Sequence, residues 1–113
     1  MTVNEFKIIP HIFNGLSADA MREISDTVRS KEQNAVLLFG SNNGESSLLL
    51  FAATKNAVKK GVDCGRIIKD AAKHIGGGGG GGRDIAQAGG KSSAGLERAI
   101  EHAVALTRDM IKG

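Results

Sequence analysis

The chain has 113 residues, a formal charge of +3 at pH 7, four phenylalanines, no tyrosine or tryptophan, and one cysteine. This length suits one domain that folds without a metal or disulfide staple, and the shortage of aromatic side chains counts against a protein that binds single-stranded bases by stacking. One cysteine excludes an intramolecular disulfide, no apolar run approaches a membrane span, and no secretory signal opens the chain, so we expect a cytoplasmic protein without a membrane partner.

The first part of the chain predicts a strand and then a helix. Apolar residues alternate over residues 5–13, which is typical of a strand. Pro10 has no backbone N–H, so this strand should lie at a sheet edge or be broken there. Ser17 can cap a helix that runs to about residue 32. The apolar face of this helix holds Met21, Ile24 and Val28.

Two short apolar runs, residues 35–39 and 47–53, predict two more strands. The residues between them include Asn43 and Gly44, and an Asn-Gly pair is a strong hairpin signal. These two strands should therefore pair antiparallel.

Two further helices are predicted in the second half of the chain. Asp63 can cap one that runs to about residue 75, and the last helix begins near Ser92 or Ser93. Cys64 lies on the apolar stripe of the first of these helices, so we interpret it as a core thiol rather than a nucleophile. The two stripes are Cys64, Ile68, Ala71 and Ile75, and then Leu96, Ile100, Ala103, Leu106 and Met110.

Seven consecutive glycines, residues 76–82, are closed by Arg83. Ordering glycine costs about 1 to 2 kcal/mol of backbone entropy per residue, so the run needs a use. We predict an internal loop, which lets a backbone or ligand approach closely and can present N–H groups to an anion. A flexible linker is the alternative, but the helix after the run has no core of its own and must pack back. The element order then predicts an α/β (α+β) domain, a small mixed sheet with helices on one side in two layers.

Charge is unevenly distributed. Residues 55–91 carry eight basic and three acidic side chains, whereas residues 1–54 carry four and six. A basic block around an open loop is typical of a polyanion site, although a solvated face is the alternative.

Three motifs for other functions fail. Residues 90–92 end like a P-loop, but Ile85 stands where that motif requires glycine. The glycine run satisfies the dinucleotide-binding pattern only trivially, because it follows a helix rather than a strand. His11, His74 and His102 show no pair at ligand spacing and there is no CxxC, so we expect no metal site.

The glycine run and the sequence Arg83-Asp84-Ile85-Ala86-Gln87-Ala88-Gly89-Gly90 resemble the C-terminal signature of alanyl-tRNA synthetases. That signature is a glycine tract, Arg-Pro-Asp, an apolar residue and Ala-Gln-Ala-Gly-Gly, and the resemblance extends over nearly the whole chain. Here the proline is absent, and glycine replaces a lysine often found within the tract. A sister module in DHH-type phosphoesterases has a histidine where Arg83 stands, and no DHH catalytic motif is present.

The resemblance implies one C-terminal, DHH-associated domain over residues 1–113 that binds the elbow of tRNA(Ala) through phosphate and shape contacts. It would position tRNA for aminoacylation and editing by upstream synthetase domains. Those domains use ATP, Mg and an editing-domain zinc, so we expect no cofactor and no enzyme activity in this chain itself. The alternative is a dimerisation module of the same synthetase, a homodimer without independent tRNA affinity.

We expect the tRNA-facing surface to combine the basic side chains of residues 55–91 with the glycines and the amide that follows them. The candidate residues are Lys55, Lys59, Lys60, Arg66, Lys69, Lys73, Gly76, Gly77, Gly78, Gly79, Gly80, Gly81, Gly82, Arg83, Gln87, Gly89, Gly90 and Lys91.

Overall fold

A computed structural model describes all residues, 1–113, as six strands and four α-helices. The strands are β1 (Thr2–Val3), β2 (Phe6–Asn14), β3 (Ala35–Asn43), β4 (Ser46–Ala53), β5 (Gly77–Gly81) and β6 (Ile85–Gly90). The helices are α1 (Ala18–Lys31), α2 (Lys55–Lys60), α3 (Cys64–Ala72) and α4 (Leu96–Lys112), and a 3-10 turn (Lys73–Ile75) follows α3. None of the helices has both the length and the apolar character that crossing a membrane requires.

The strands form one mixed sheet in the order β1-β2-β3-β4-β6-β5. Strands β2 and β3 are parallel, and every other neighbouring pair is antiparallel. The predicted hairpin is confirmed, since Asn43 faces Ser46 and leaves a two-residue loop in which Gly44 has a φ of +85°. A positive φ at that position suits glycine, which has no Cβ to clash.

The strand predicted over residues 5–13, which is β2, and the helix predicted after Ser17, which is α1, are also confirmed. Strand β1 pairs with β2 only at Phe6 and Lys7, so Pro10 lies where β2 borders no other strand on that side. The missing N–H of proline is tolerated at such an edge. The hydroxyl of Ser17 accepts a hydrogen bond from the Ala20 N–H at 3.1 Å and caps α1.

The mixed α/β fold is confirmed, but the two-layer arrangement with helices on one side is wrong. Helix α1 packs on one face of the sheet, where Met21 joins Leu37, Phe39, Leu50 and Ala52. Helices α3 and α4 pack on the other face, over a cluster of 22 buried residues. Strands β3 and β4 are therefore covered on both faces, which is why they are continuously apolar rather than alternating.

The glycine run is not a loop, which corrects the sequence prediction. Five of its glycines form edge strand β5, which pairs with β6 from Gly77 opposite Gly90 to Gly81 opposite Ala86. A Cβ built on Gly77, Gly79 or Gly81 would overlap backbone atoms of β6, whereas one on Gly78 or Gly80 would meet nothing. Only glycine fits the alternate positions of this close pairing, and its ladder of hydrogen bonds offsets part of the entropy cost.

The second predicted helix, which is α3 in the structure, begins as expected. The carboxylate of Asp63 accepts the N–H of Arg66 at 3.2 Å, and α3 ends at Ala72 in a 3-10 turn that Gly76 closes with a φ of +63°. Sequence reasoning missed the short helix α2, which is capped by the side chain of Thr54.

The last helix starts later than predicted. It begins at Leu96, because the segment before it packs on the 3-10 turn instead of continuing the helix. The N–H of Ser92 donates to the Ile75 carbonyl at 3.3 Å, and a Cβ on Gly95 would overlap the His74 carbonyl. Glycine is needed at position 95 for this close backbone contact.

Candidate nucleic-acid interface

Helix α3 lies across the outer end of the sheet, and its first residues are hydrogen-bonded to the turn between β5 and β6. The N–H of Cys64 donates to the Arg83 carbonyl at 2.9 Å, and that of Gly65 to the Gly82 carbonyl at 3.0 Å. A Cβ on Gly65 would come within 2.6 Å of the Gly81 carbonyl oxygen, so glycine allows the helix to approach the strand. The first N–H groups of α3 are thus occupied by carbonyl oxygens of the turn rather than open to an anion.

The same arrangement places basic side chains along both ends of β5. Arg66 and Arg83 lie at the end where β5 turns into β6, whereas Lys73 and Lys91 lie at the opposite end, where Gly77 faces Gly90. Lys69 lies between these ends on α3. A five-residue strand is about 17 Å long. We call this surface the basic edge, and it comprises strand β5 with Arg66, Lys69, Lys73, Arg83 and Lys91.

Strand β5 ends the sheet, so it pairs on one side only. Alternate N–H and C=O groups of an edge strand point away from its partner and remain open to a ligand. The glycines supply no side chain to cover them. The glycines are extended, however, and do not form the concave N–H nest that the loop prediction implied.

The cations of the basic edge are only weakly paired with acidic residues. Lys73 lies 3.6 Å from Asp70, and its side chain is 77% exposed. The Nε atom of Arg83 lies 3.9 Å from an Asp63 oxygen, with the arginine side chain 74% exposed. Exposed pairs of this kind contribute about 0 to 1 kcal/mol, so both cations can exchange their partner for another anion.

The remaining candidate residues are placed elsewhere. Gln87 projects on the α1 side of the sheet, where its amide oxygen accepts a hydrogen bond from Arg22 at 3.4 Å, and it therefore lies across the sheet from α3. Gly90 packs against Ile75, which leaves no room for a Cβ, and Gly89 is exposed. The predicted surface is thus divided between the two faces of the sheet.

Helix α2 carries the other three lysines, Lys55, Lys59 and Lys60, all exposed. The end of this helix borders a cleft of about 320 Å³ that Arg66 and Arg83 also line. Lys59 and Lys60 precede Gly61, which lines this cleft, but neither lysine lines it itself. Lys55 lies at the other end of α2 and borders a different cleft.

That second cleft is the larger one, at about 510 Å³, and sequence reasoning missed it. It lies between the end of α1 and the start of α2, and its lining mixes Asp26, Glu32 and Asp84 with Arg29 and Lys55. Such a mixed lining, with three carboxylates, is unsuited to a polyanion.

One cysteine and one pair of histidines beside these elements have environments that the sequence only partly predicts. Cys64 is fully buried, and burial raises the pKa of its thiol to about 12, with Asp63 and Asp84 adding to the effect. Its interpretation as a core thiol is confirmed.

His74 and His102, which show no pairing at ligand spacing in the sequence, are brought together in the structure with ring nitrogens 2.9 Å apart. The two histidines are 28 positions apart in the sequence, and no local signal indicates this contact, which depends on the packing of α4 against the 3-10 turn.

Comparison with known proteins places these features in a family. Residues 5–112 match the DHHA1 domain family. The alanine–tRNA ligase of Natranaerobius thermophilus is 38% identical over 109 residues, which are 96% of this chain and 12% of that protein. The enzyme of Acetivibrio thermocellus is 39% identical over 111 residues, which are 98% of this chain and 13% of that protein. The chain thus spans only a small part of the length of these relatives.

A solved structure agrees with the sequence comparisons. The crystal structure of the C-Ala domain from Aquifex aeolicus alanyl-tRNA synthetase is similar with a TM-score of 0.83 and 26% identity. The match covers 100% of this chain and 97% of that one. The resemblance read from the glycine run and the residues after it is therefore confirmed, and the chain belongs to the DHHA1 domain family.

Proposed function

We propose that this domain binds tRNA(Ala) at its outer elbow, as the C-terminal module of an alanyl-tRNA synthetase. It would position the tRNA for aminoacylation and editing by domains that lie upstream in the same protein. The observation that carries the proposal is the basic edge, where five exposed cations flank a strand with no side chains. The similarity to synthetases, including a C-Ala domain, supports a role within that enzyme.

The chemistry of the basic edge suits a phosphate backbone rather than base edges. Side-chain cations and backbone N–H groups bind phosphate oxygens, and such contacts position a protein on a nucleic acid without reading sequence. RNA helices are recognised mainly by shape and by phosphate and ribose contacts. The lack of tyrosine and tryptophan fits this mode. Affinity should therefore depend strongly on salt.

The proposal assigns the domain no cofactor and no reaction of its own. ATP, Mg and zinc would be used by the upstream synthetase domains, and the partner of this domain would be the tRNA. We also propose a cytoplasmic location, where protein synthesis takes place and where the buried thiol of Cys64 would stay reduced.

One observation favours a second function, dimerisation. Edge strands in natural proteins are usually protected by charged side chains, proline or a bulge, whereas β5 is five glycines. Two copies could pair through β5 and continue the sheet. The like charges of the basic edge would then approach each other, and this repulsion favours an RNA partner over a second copy.

The proposal is tested by measuring the affinity of the domain for tRNA(Ala) over a series of salt concentrations. Lys69→Gln, Lys73→Gln, Arg83→Gln and Lys91→Gln should each weaken binding and lower the salt slope by about 0.7 to 0.9 for each phosphate that is no longer neutralised. Lys31→Gln is the matched control, because Lys31 is exposed on α1 across the sheet.

Unchanged affinity and slope in all four folded variants would place the tRNA site elsewhere. Sedimentation velocity separates the two functions. A tight dimer without tRNA affinity would favour the dimerisation module.

A further inference from the structure

His74 and His102 form a pair that the proposed tRNA site does not use. The Nε2 atom of His74 lies 2.9 Å from the Nδ1 atom of His102. Their ring centroids are 5.1 Å apart, and the planes meet at 62°. His74 lies in the 3-10 turn before β5, and His102 lies on α4 after β6. The pair therefore joins the two chain segments that flank the β5–β6 hairpin.

Two imidazole nitrogens at this distance face each other with one proton between them, so one donates and the other accepts. A metal ion can take the place of that proton. The donating ring moves its proton to its other nitrogen, and both facing nitrogens then present lone pairs. At Zn–N distances of about 2.0 to 2.1 Å, tetrahedral geometry separates two ligand nitrogens by roughly 3.3 Å. The two nitrogens therefore need to separate by only about 0.4 Å, and the rings must turn so that both lone pairs point at the ion.

The surroundings leave the pair accessible. His74 is exposed and His102 is half-buried, so water can reach the remaining coordination positions. No third histidine, cysteine or carboxylate is close enough to complete a group of three. We propose that His74 and His102 form an open, two-histidine site for a divalent transition ion of the kind that imidazole prefers, Zn²⁺, Ni²⁺ or Cu²⁺.

A bound ion would cross-link the base of the hairpin. The 3-10 turn contacts the segment before α4 through Ser92 and Gly95, and the ion would add a direct link between the turn and the helix. Because the site exists only in the folded chain, binding stabilises the fold by mass action. The proposal requires no RNA and does not rest on the proposed function.

The experiment titrates ZnCl₂ into the untagged protein at mildly alkaline pH and records isothermal heats and the thermal midpoint. We expect one ion per chain and a rise in Tm that EDTA reverses. His74→Gln and His102→Gln should each weaken Zn²⁺ binding at least about tenfold, since each removes one of two ligands. Glutamine keeps a polar side chain, so both variants should fold.

His11→Gln is the matched control, because His11 is exposed on β2 beside Phe13 and belongs to no pair of histidines. It should bind Zn²⁺ as the wild type does. The proposal is overturned if His11→Gln loses the same affinity as the other two variants, or if His74→Gln and His102→Gln both bind like the wild type. A wild-type protein that binds no Zn²⁺ at millimolar concentration would overturn it as well.

Discussion

The pairing of β5 with β6 predicts that two adjacent glycines respond oppositely to the same substitution. A Cβ on Gly79 would overlap the Gln87 carbonyl oxygen and Ala88, which lies directly opposite. A Cβ on Gly78 would meet nothing within 4 Å. Gly79→Ala should therefore push the two strands apart, and Gly78→Ala should leave them in place.

The magnitude follows from two effects. Replacing glycine by alanine lowers the entropy of the unfolded chain and stabilises a compatible site by about 0.4 to 1 kcal/mol. Both variants share this gain, so it cancels in their difference. Overlap at Gly79 costs about 1 to 3 kcal/mol, as in other overpacked sites. Gly79→Ala should thus be less stable than Gly78→Ala by about 1 to 3 kcal/mol, with a Tm gap of about 4 to 8 °C per kcal/mol.

Urea unfolding of the two variants and the wild type measures this difference directly. Gly78→Ala should match or exceed the wild-type midpoint, and Gly79→Ala should fall below it with faster amide exchange in β6. Equal free energies of unfolding for the two alanine variants, within about 0.5 kcal/mol, would refute the close pairing of a glycine strand.

Four further predictions concern the core and the helix caps. A thiol reagent should modify Cys64 far more slowly in the native protein than in denaturant, and equal rates would contradict its burial. The pKa of this thiol is raised to about 12 in the fold, so the unfolded chain loses the thiol proton at a lower pH than the folded chain does. The free energy of unfolding should therefore fall from about pH 9 towards pH 12 relative to that of Cys64→Ala. Unfolding measured over this pH range checks the prediction. Asp63→Ala removes the cap of α3 and should lower the free energy of unfolding, measured in urea, by about 0.5 to 2 kcal/mol. An unchanged free energy of unfolding would contradict this capping role. Thr54→Val leaves the buried N–H of Ala35 without its 3.1 Å partner and should cost about 1 to 3 kcal/mol, which the same unfolding assay checks.

Local signals in the sequence were sufficient to predict the helices and the hairpin at whose ends or turns they lie. Ser17 and Asp63 predicted helix starts because a capping side chain acts on residues only two or three positions away. Gly44 predicted the hairpin turn for the same reason. The apolar stripe containing Cys64 predicted which face of α3 is buried. These interactions are local, so no knowledge of the tertiary fold was needed.

Features that depend on distant parts of the chain were predicted less well. The glycine run has no side-chain period, so nothing in residues 76–82 distinguishes a loop from a strand whose partner is β6. The late start of α4 depends on the contact of Gly95 with the 3-10 turn. The two-layer prediction was wrong because the apolar runs at residues 35–39 and 47–53 do not show whether one face of the sheet or both faces are covered, and α1 covers the second face.

The candidate site shows the same division. Charge distribution along the sequence identified the basic block, and the fold brings Arg66, Lys73, Arg83 and Lys91 to the two ends of β5. The sequence alone could not show that Gln87 lies away from these residues, because the face of the sheet on which its side chain lies depends on the register of β6.

The central claim, that the basic edge is the tRNA-facing surface, is tested most directly by amide hydrogen exchange with and without tRNA(Ala). Binding should slow exchange in α3 and in residues 76–83, and it should leave β2, at the other end of the sheet, unchanged. Protection confined to β2 and α1, with none in residues 76–83, would contradict the claim.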